Sequence, residues 1–159
     1  MKSSLIILTL NEIEGVKALF DRIPMKTVES CLVIDGGSTD GTIEFFEAHD
    51  IPVIVQTIRG RGEAFRIAVK EAKTEVLIFF SPDGNEEPDD IPTFINKMDE
   101  GYDMVVGSRF MPGGANEDDE VSFPWRKWAN QAFTLCANIL WRGRLTDSIN
   151  GYRAIRADV

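Results

Sequence analysis

Cys31-Leu-Val-Ile-Asp-Gly-Gly-Ser-Thr-Asp-Gly-Thr42 decides how this chain is read. A β-branched apolar run breaks abruptly into an acid and a cluster of small turn formers, the pattern of a buried strand that delivers Asp35 to the mouth of a sheet. Gly36 and Gly37 permit a tight turn with close backbone approach, and Ser38, Thr39 and Asp40 are all good N-caps for a helix that starts at Thr42. In an open α/β sheet, ligands sit outside the carboxyl ends of the strands, so Asp35 stands where a small molecule would bind. The same residues also suit an ordinary βα turn whose Asp only organises the helix start.

Outward from this stretch, apolar runs at Leu5 to Leu8, Cys31 to Ile34, Pro52 to Val55, Val76 to Phe80 and Asp103 to Gly107 read as strands. Segments of helical period lie between them, near Glu12 to Arg22, Thr42 to His49, Gly62 to Ala72 and Asp89 to Met98. Repeated βα units of this length predict an α/β fold, a mostly parallel central sheet with helices on both faces. After Gly107 the rhythm changes, and Phe110 to Ser122 reads as a long acidic loop of the kind used as a lid or binding loop.

The chain's 159 residues predict one domain over 1–159 with a full core. Its 17 basic and 26 acidic side chains leave a formal net charge of -9, which argues against a nucleic-acid binder but leaves room for an anionic small ligand held by local arginines. Cys31 and Cys136 lack metal-ligand spacing and read as buried thiols in a reducing compartment. Leu5 to Leu10 is too short for the apolar core of a signal peptide, and no run reaches the roughly 18 apolar residues of a membrane span. The chain is therefore read as soluble and cytoplasmic. His49, the one histidine, falls at a helix end away from the acids and is not read as catalytic.

A second acid arrives at a strand end in Val76-Leu-Ile-Phe-Phe-Ser-Pro-Asp-Gly-Asn-Glu-Glu-Pro88. Hard divalent cations take oxygen ligands and are commonly held by one or two carboxylates plus substrate phosphates, and Asp83 with Asn85 could supply such a site. A solvated acidic turn opening the next helix is the plainer alternative.

Six pieces in order, Leu8-Thr-Leu-Asn-Glu12, Val33 to Thr42, Arg59-Gly-Arg-Gly-Glu-Ala64, Ser81-Pro-Asp-Gly-Asn85, Val106-Gly-Ser-Arg109 and Asp147-Ser-Ile-Asn-Gly-Tyr-Arg153, resemble a family 2 glycosyltransferase of the GT-A fold. Within that family the resemblance is to the dolichol-phosphate and polyprenyl-phosphate mannosyl- and glucosyltransferases. It implies a nucleotide-sugar pocket lined by Leu8, Asn11, Glu12 and Asp35, with Asp35 bonded to the base. It also implies that Arg59, Arg61 and Gly62 close over the nucleotide, and that Asp83 and Asn85 hold Mg²⁺ or Mn²⁺ at the diphosphate. Ser81 departs from the family pattern, standing where an Asp would be, so one carboxylate is missing and metal affinity should be weaker.

The resemblance further implies a GDP- or UDP-hexose donor and a polyprenyl phosphate acceptor faced by Arg109, Arg126 and Arg153. A guanidinium offers paired donors suited to phosphate oxygens and stays charged when partly buried. Arginines and a cation aimed at the departing diphosphate stabilise the charge that builds there, with Asp83 and Arg109 in catalytic roles. A phosphate acceptor attacks without a strong base, whereas a hydroxyl acceptor would need one, and Asp147 is the candidate; otherwise Asp147 orients an arginine. A nucleotide-sugar-binding domain without turnover is the alternative from a different class. Complete relatives usually continue beyond the Asn150 to Arg153 motif, so the resemblance implies a chain cut short after Val159.

In Phe123 to Trp141, the stripe Trp125, Trp128, Ala129, Ala132, Phe133, Cys136, Ile139 and Leu140 recurs near helical spacing, with Arg126, Lys127, Arg142 and Arg144 at its ends. The first expectation is a crossover helix packed on the sheet. Tryptophan flanked by cations also suits peripheral contact with the cytoplasmic membrane face.

Overall fold

The computed structural model describes residues 1–111 and 125–158, apart from the side chain of Arg126. The acidic loop expected from Phe110 to Ser122 therefore falls, from Pro112 onward, outside the described residues. The chain divides into two compact units, Met1–Val105 with Tyr152–Val159, and Val106–Gly151.

The first unit is built on a sheet whose strands are β1 (Ser3–Thr9), β2 (Ser30–Asp35), β3 (Val53–Val55), β4 (Val76–Phe80), β5 (Met104–Val106) and β6 (Arg153–Arg156). Their order across the sheet is β3-β2-β1-β4-β6-β5. β1 pairs in parallel with β2 and β4, and β2 with β3, whereas β6 runs antiparallel to β4. The helices are α1 (Ile13–Leu19), α2 (Thr42–Ala48), α3 (Arg61–Glu71), α4 (Ile91–Asp99) and, in the second unit, α5 (Trp125–Trp141).

β1 shows why the sheet is covered on both faces. All seven of its residues are buried, and its side chains alternate between two cores. Leu5 and Ile7 join Val16, Phe46, Ile91, Phe94 and Met98 from α1, α2 and α4 on one face. Ile6 and Leu8 join Ala64 and Ala68 of α3 with Ile34, Leu77 and Phe79 on the other. The five strands and the helical segments read from periodicity are all present, with boundaries moved by one or a few residues. β6 is the addition: Arg153-Ala-Ile-Arg156 is too short and too charged to signal a strand, and it forms by pairing along β4.

Three local expectations are corrected. The N-cap of α2 is Gly41, in left-handed geometry at φ 98°, rather than Ser38, Thr39 or Asp40; the Asp40 carboxylate instead accepts hydrogen bonds from the backbone N–H and hydroxyl of Thr42. Cys136 is exposed, while Cys31 is partly buried and its thiol is pushed up to about 12 by that burial. The apolar stripe of α5 is exposed rather than buried in a core. No helix among the described residues is long and apolar enough to cross a membrane.

Gly15 in α1 fixes how closely that helix approaches the loop after β4. A Cβ there would overlap the carbonyl oxygen of Pro82. Gly15→Ala is therefore expected to lower stability by about 1 to 3 kcal/mol through overpacking and to displace the 81–85 loop. Urea denaturation reads the first effect, and nucleotide titration reads the second.

Candidate active site

Parallel pairing brings three strand ends to one edge, because Thr9 lies opposite Asp35 and Ile7 opposite Phe80. Beyond that edge, within the first unit, lies a cavity of about 230 Å³. Its apolar wall is Leu8, Leu10, Ile34 and Ala64; its polar rim is Glu12, Gln56, Arg59, Arg61, Ser81 and Asp83, with Thr9, Gly36 and Gly60 between them. Leu8, Glu12, Arg59, Arg61, Ser81 and Asp83 are thus brought together as the sequence suggested. Asn11, Asp35 and Gly62 do not line the cavity.

Asp35 has a different task. It is fully buried, and its Oδ1 accepts the backbone N–H groups of Gly37 at 2.7 Å and Ser38 at 2.6 Å. Its Oδ2 accepts the hydroxyls of Thr9 at 2.7 Å and Ser38 at 2.6 Å. A carboxylate has about four acceptor sites, and all are taken. With these four donors Asp35 locks the turn that closes one side of the cavity. Asn11, at φ 56°, works with it. The Asn11 N–H donates to Ser38 Oγ and its Oδ1 accepts the Thr39 N–H, which laces the loops after β1 and β2 together.

The cationic side of the cavity is the start of α3. Gly60, at φ 144° and ψ 142°, adopts a conformation that suits glycine, and Gln56 holds this loop by donating from Nε2 to the Gly60 carbonyl at 3.0 Å. Arg59 donates to the Gly37 carbonyl at 3.4 Å, and Arg61 donates to Ser81 Oγ at 3.3 Å. Two guanidiniums and the N–H groups of a helix start suit an anion with several oxygens.

The acidic side is the loop after β4. Asp83 Oδ1 accepts the Asn85 N–H at 3.0 Å in a tight turn through Gly84, at φ 86°. Asn85 belongs to this turn but is not part of the cavity lining. Sequence reasoning missed Glu86, which is 7% exposed and accepts the Ser81 N–H at 2.6 Å. Burial, reinforced by Asp83, pushes its carboxyl up to about 8, against the Ser81 hydrogen bond and the charges of Arg61 and Arg153. Glu12 is likewise raised by its burial and by Asp83 and Asp40. Nothing in an acidic turn sequence distinguishes a buried Glu from its solvated neighbour Glu87. Gln56 was also unforeseen, since a lone Gln after a short strand carries no signal.

Arg153 opens β6 opposite Phe79, with its guanidinium over the Phe65 ring at 5.8 Å from the centroid. Arg109 and Asp147 both belong to the second unit and form a forked pair there: Arg109 Nε donates to Oδ2 at 2.8 Å and Nη2 donates to Oδ1 at 3.1 Å. Asp147 is fully buried, which by itself would raise its carboxyl. The hydrogen bonds and charge of Arg109 outweigh that burial and hold it below the usual range. The backbone N–H groups of Ile149 and Asn150 also donate to it, each at 3.2 Å. A carboxylate so committed positions Arg109 and is a poor proton acceptor. The side chain of Arg126 lies outside the described residues.

Residues 4–159 match the family model described as "Glycosyl transferase family 2". Among curated proteins, the chain is 33% identical over 150 residues to glycosyltransferase AglJ of Haloferax volcanii, covering 92% of this chain and 47% of that protein. It is 32% identical over 168 residues to an undecaprenyl-phosphate mannosyltransferase of Micrococcus luteus, covering 99% and 68%. The chain thus spans about half of the first relative and two thirds of the second. Among solved structures, glucosyl-3-phosphoglycerate synthase of Mycobacterium tuberculosis, in complex with Mn²⁺, UDP and glucosyl-3-phosphoglycerate, superposes with a TM-score of 0.74 at 21% identity, over 99% of this chain and 57% of that one. At that identity the likeness establishes the fold.

Proposed function

This chain belongs to glycosyl transferase family 2, and from that premise we propose that it transfers a hexose from a nucleoside-diphosphate sugar to a polyprenyl phosphate. The observation that carries the reading is the cavity at the strand ends, with Arg59 and Arg61 on one side, Asp83 on the other and an apolar wall between. A flat base suits the wall, and a diphosphate suits the guanidiniums. The undecaprenyl-phosphate mannosyltransferase among its relatives supports the acceptor class.

In this reading Arg59 and Arg61 hold the diphosphate and stabilise the charge that builds on it as the bond to the anomeric carbon breaks. A phosphate oxygen of the acceptor forms the new bond to that carbon, and the nucleoside diphosphate leaves with the electron pair. Arg109, held by Asp147, is assigned to the acceptor phosphate, for which its remaining guanidinium N–H groups suit it, and the family resemblance assigns Arg153 and Arg126 to the same ligand. An anionic acceptor needs no general base, which agrees with an Asp147 committed to Arg109. A hydroxyl acceptor would lack its candidate base.

The donor set fits a divalent cation in a limited way. Among the described residues no cluster of three or more His, Cys, Asp or Glu side chains could hold one. Asp83 can still hold Mg²⁺ or Mn²⁺ together with the Ser81 hydroxyl, the Asn85 side-chain carbonyl and substrate phosphates, since hard cations accept that mixture. When bound, the cation would supply further neutralisation of the diphosphate.

Asp83→Asn is expected to weaken divalent-dependent nucleotide diphosphate binding by roughly 1.5 to 3 kcal/mol, and Ser81→Asp to strengthen it. Calorimetry with and without EDTA checks both, and coincident wild-type titrations would remove the cation from the site. Turnover is tested with GDP- and UDP-hexoses, Mg²⁺ or Mn²⁺ and a short polyprenyl phosphate, and lipid-linked hexose is the expected product. Nucleotide binding without product would favour a binding domain, the reading that Ser81 in place of a carboxylate supports.

A further inference from the structure

The cavity runs along the sheet edge from the end of β3, where Gln56 follows Val55, to the end of β4, where Ser81 and Asp83 follow Phe80. Its two ends differ in chemistry. Arg61, Ser81 and Asp83 gather charge at the β4 end, which suits a diphosphate and its cation, and the apolar wall of Leu8, Leu10 and Ile34 leads away from them. In the nucleotide-sugar reading the base therefore lies toward β3, and what that end offers decides which base fits.

Most polar groups at that end are already committed. The four acceptor positions of Asp35 are filled, the Thr9 hydroxyl donates to Asp35, and the Gly37 carbonyl accepts Arg59. Gln56 is different, because the fold fixes which half of its amide is left over. Its backbone N–H donates to the Asp35 carbonyl at 2.8 Å, which ties the residue to the end of β2. Its side chain is half-buried, and Nε2 donates to the carbonyls of Ile58 at 3.4 Å and Gly60 at 3.0 Å. Carbonyls accept and only the amide NH₂ can donate, so these two contacts set the orientation of the amide and use both of its hydrogens. Oε1 remains, an acceptor with no donor among the described residues.

A lone acceptor beside an apolar wall discriminates among bases by their hydrogen-bonding edges. Uracil presents one N–H, at N3, between two carbonyls. Guanine presents N1–H together with an amino group, and its additional N–H groups would meet the apolar wall without acceptors. Cytosine carries a bare ring nitrogen at N3, which would set acceptor against acceptor. Polar groups desolvated without partners carry a penalty, so one acceptor is matched best by one N–H. We propose that Gln56 selects the base, its Oε1 accepting the N3–H of uracil, and hence that the donor is a uridine diphosphate sugar. The inference deepens the nucleotide-sugar reading of this cavity and rests on it.

Calorimetry with UDP, GDP and CDP in the presence of Mn²⁺ tests the assignment. The wild type is expected to bind UDP about tenfold or more tightly than either of the others. Gln56→Leu removes the acceptor and also the hold on Gly60, so its absolute affinities fall in any case, and the informative quantity is the ratio of UDP to CDP affinity. That ratio should collapse to about one, whereas a purely structural Gln56 would weaken every nucleotide alike and leave the ratio unchanged. Gln56→Glu keeps an acceptor oxygen while losing the donors to Gly60, and should bind all three nucleotides more weakly yet still prefer UDP to CDP. A wild type that binds the three alike or favours GDP or CDP, or a Gln56→Leu variant that keeps the wild-type ratio, would overturn the assignment and leave the nucleotide cavity standing. Binding of none of the three would overturn the nucleotide-sugar reading itself, and the assignment with it.

Discussion

Asp35→Ala is expected to lower stability by about 3 kcal/mol or more and to abolish nucleotide binding as a consequence. The substitution removes the acceptor for four donors at once, the N–H groups of Gly37 and Ser38 and the hydroxyls of Thr9 and Ser38. Hydrogen bonds to a charged group contribute about 1.5 to 3 kcal/mol each, and buried donors left without acceptors carry their desolvation penalty in addition. Asp35→Asn should be nearly as damaging, because an amide keeps one acceptor oxygen and turns an NH₂ toward donors. Thermal and urea unfolding of both variants would show the loss. A variant as stable as the wild type but weak in nucleotide binding would return Asp35 to the role of a base ligand.

Glu86→Gln should flatten the pH dependence of stability. The Glu86 carboxyl is raised from 4.5 to about 8, so between those values the folded protein binds a proton that the unfolded chain has released. Stability is then greatest below pH 4.5 with respect to this group and falls as pH rises through about 8. The loss is on the order of 2 to 4 kcal/mol, given the near-complete burial of the group. Gln removes the titration while its side-chain carbonyl keeps the Ser81 N–H. The variant is therefore expected to match the wild type near pH 5 and to exceed it at pH 8 to 9, measured in EDTA by urea denaturation. Parallel curves at both pH values would mean that Arg61 and Arg153 keep Glu86 ionised throughout.

The two substitutions bear on the division between local and long-range information. The continuous apolar runs Leu5 to Leu8 and Val76 to Phe80, and the turn chemistry after Ile34 and Phe80, are properties of consecutive residues. They are enough to locate the strands, the sheet edge and the loops that meet there. Ordered motifs were likewise enough to identify the family, because each piece sits at the end of an element whose type its neighbours specify.

What a polar side chain does at that edge is another matter. Asp35 reads equally as a ligand and as the organiser of a turn, and only the fold brings Thr9, 26 positions away, onto one of its oxygens. Glu86 reads as solvated until the fold buries it, and Asp147 reads as either a base or the holder of an arginine until Arg109, 38 positions away, forks onto it. β6 exists only as a partner to β4, and the apolar stripe of α5 reads as core until the bonds of Thr134 and Asn138 turn the polar face inward. Periodicity and turn preference are set within a few residues and so can be read from sequence. Hydrogen-bond saturation, burial and charge pairing depend on which distant groups arrive at the same place, and only the tertiary structure decides that.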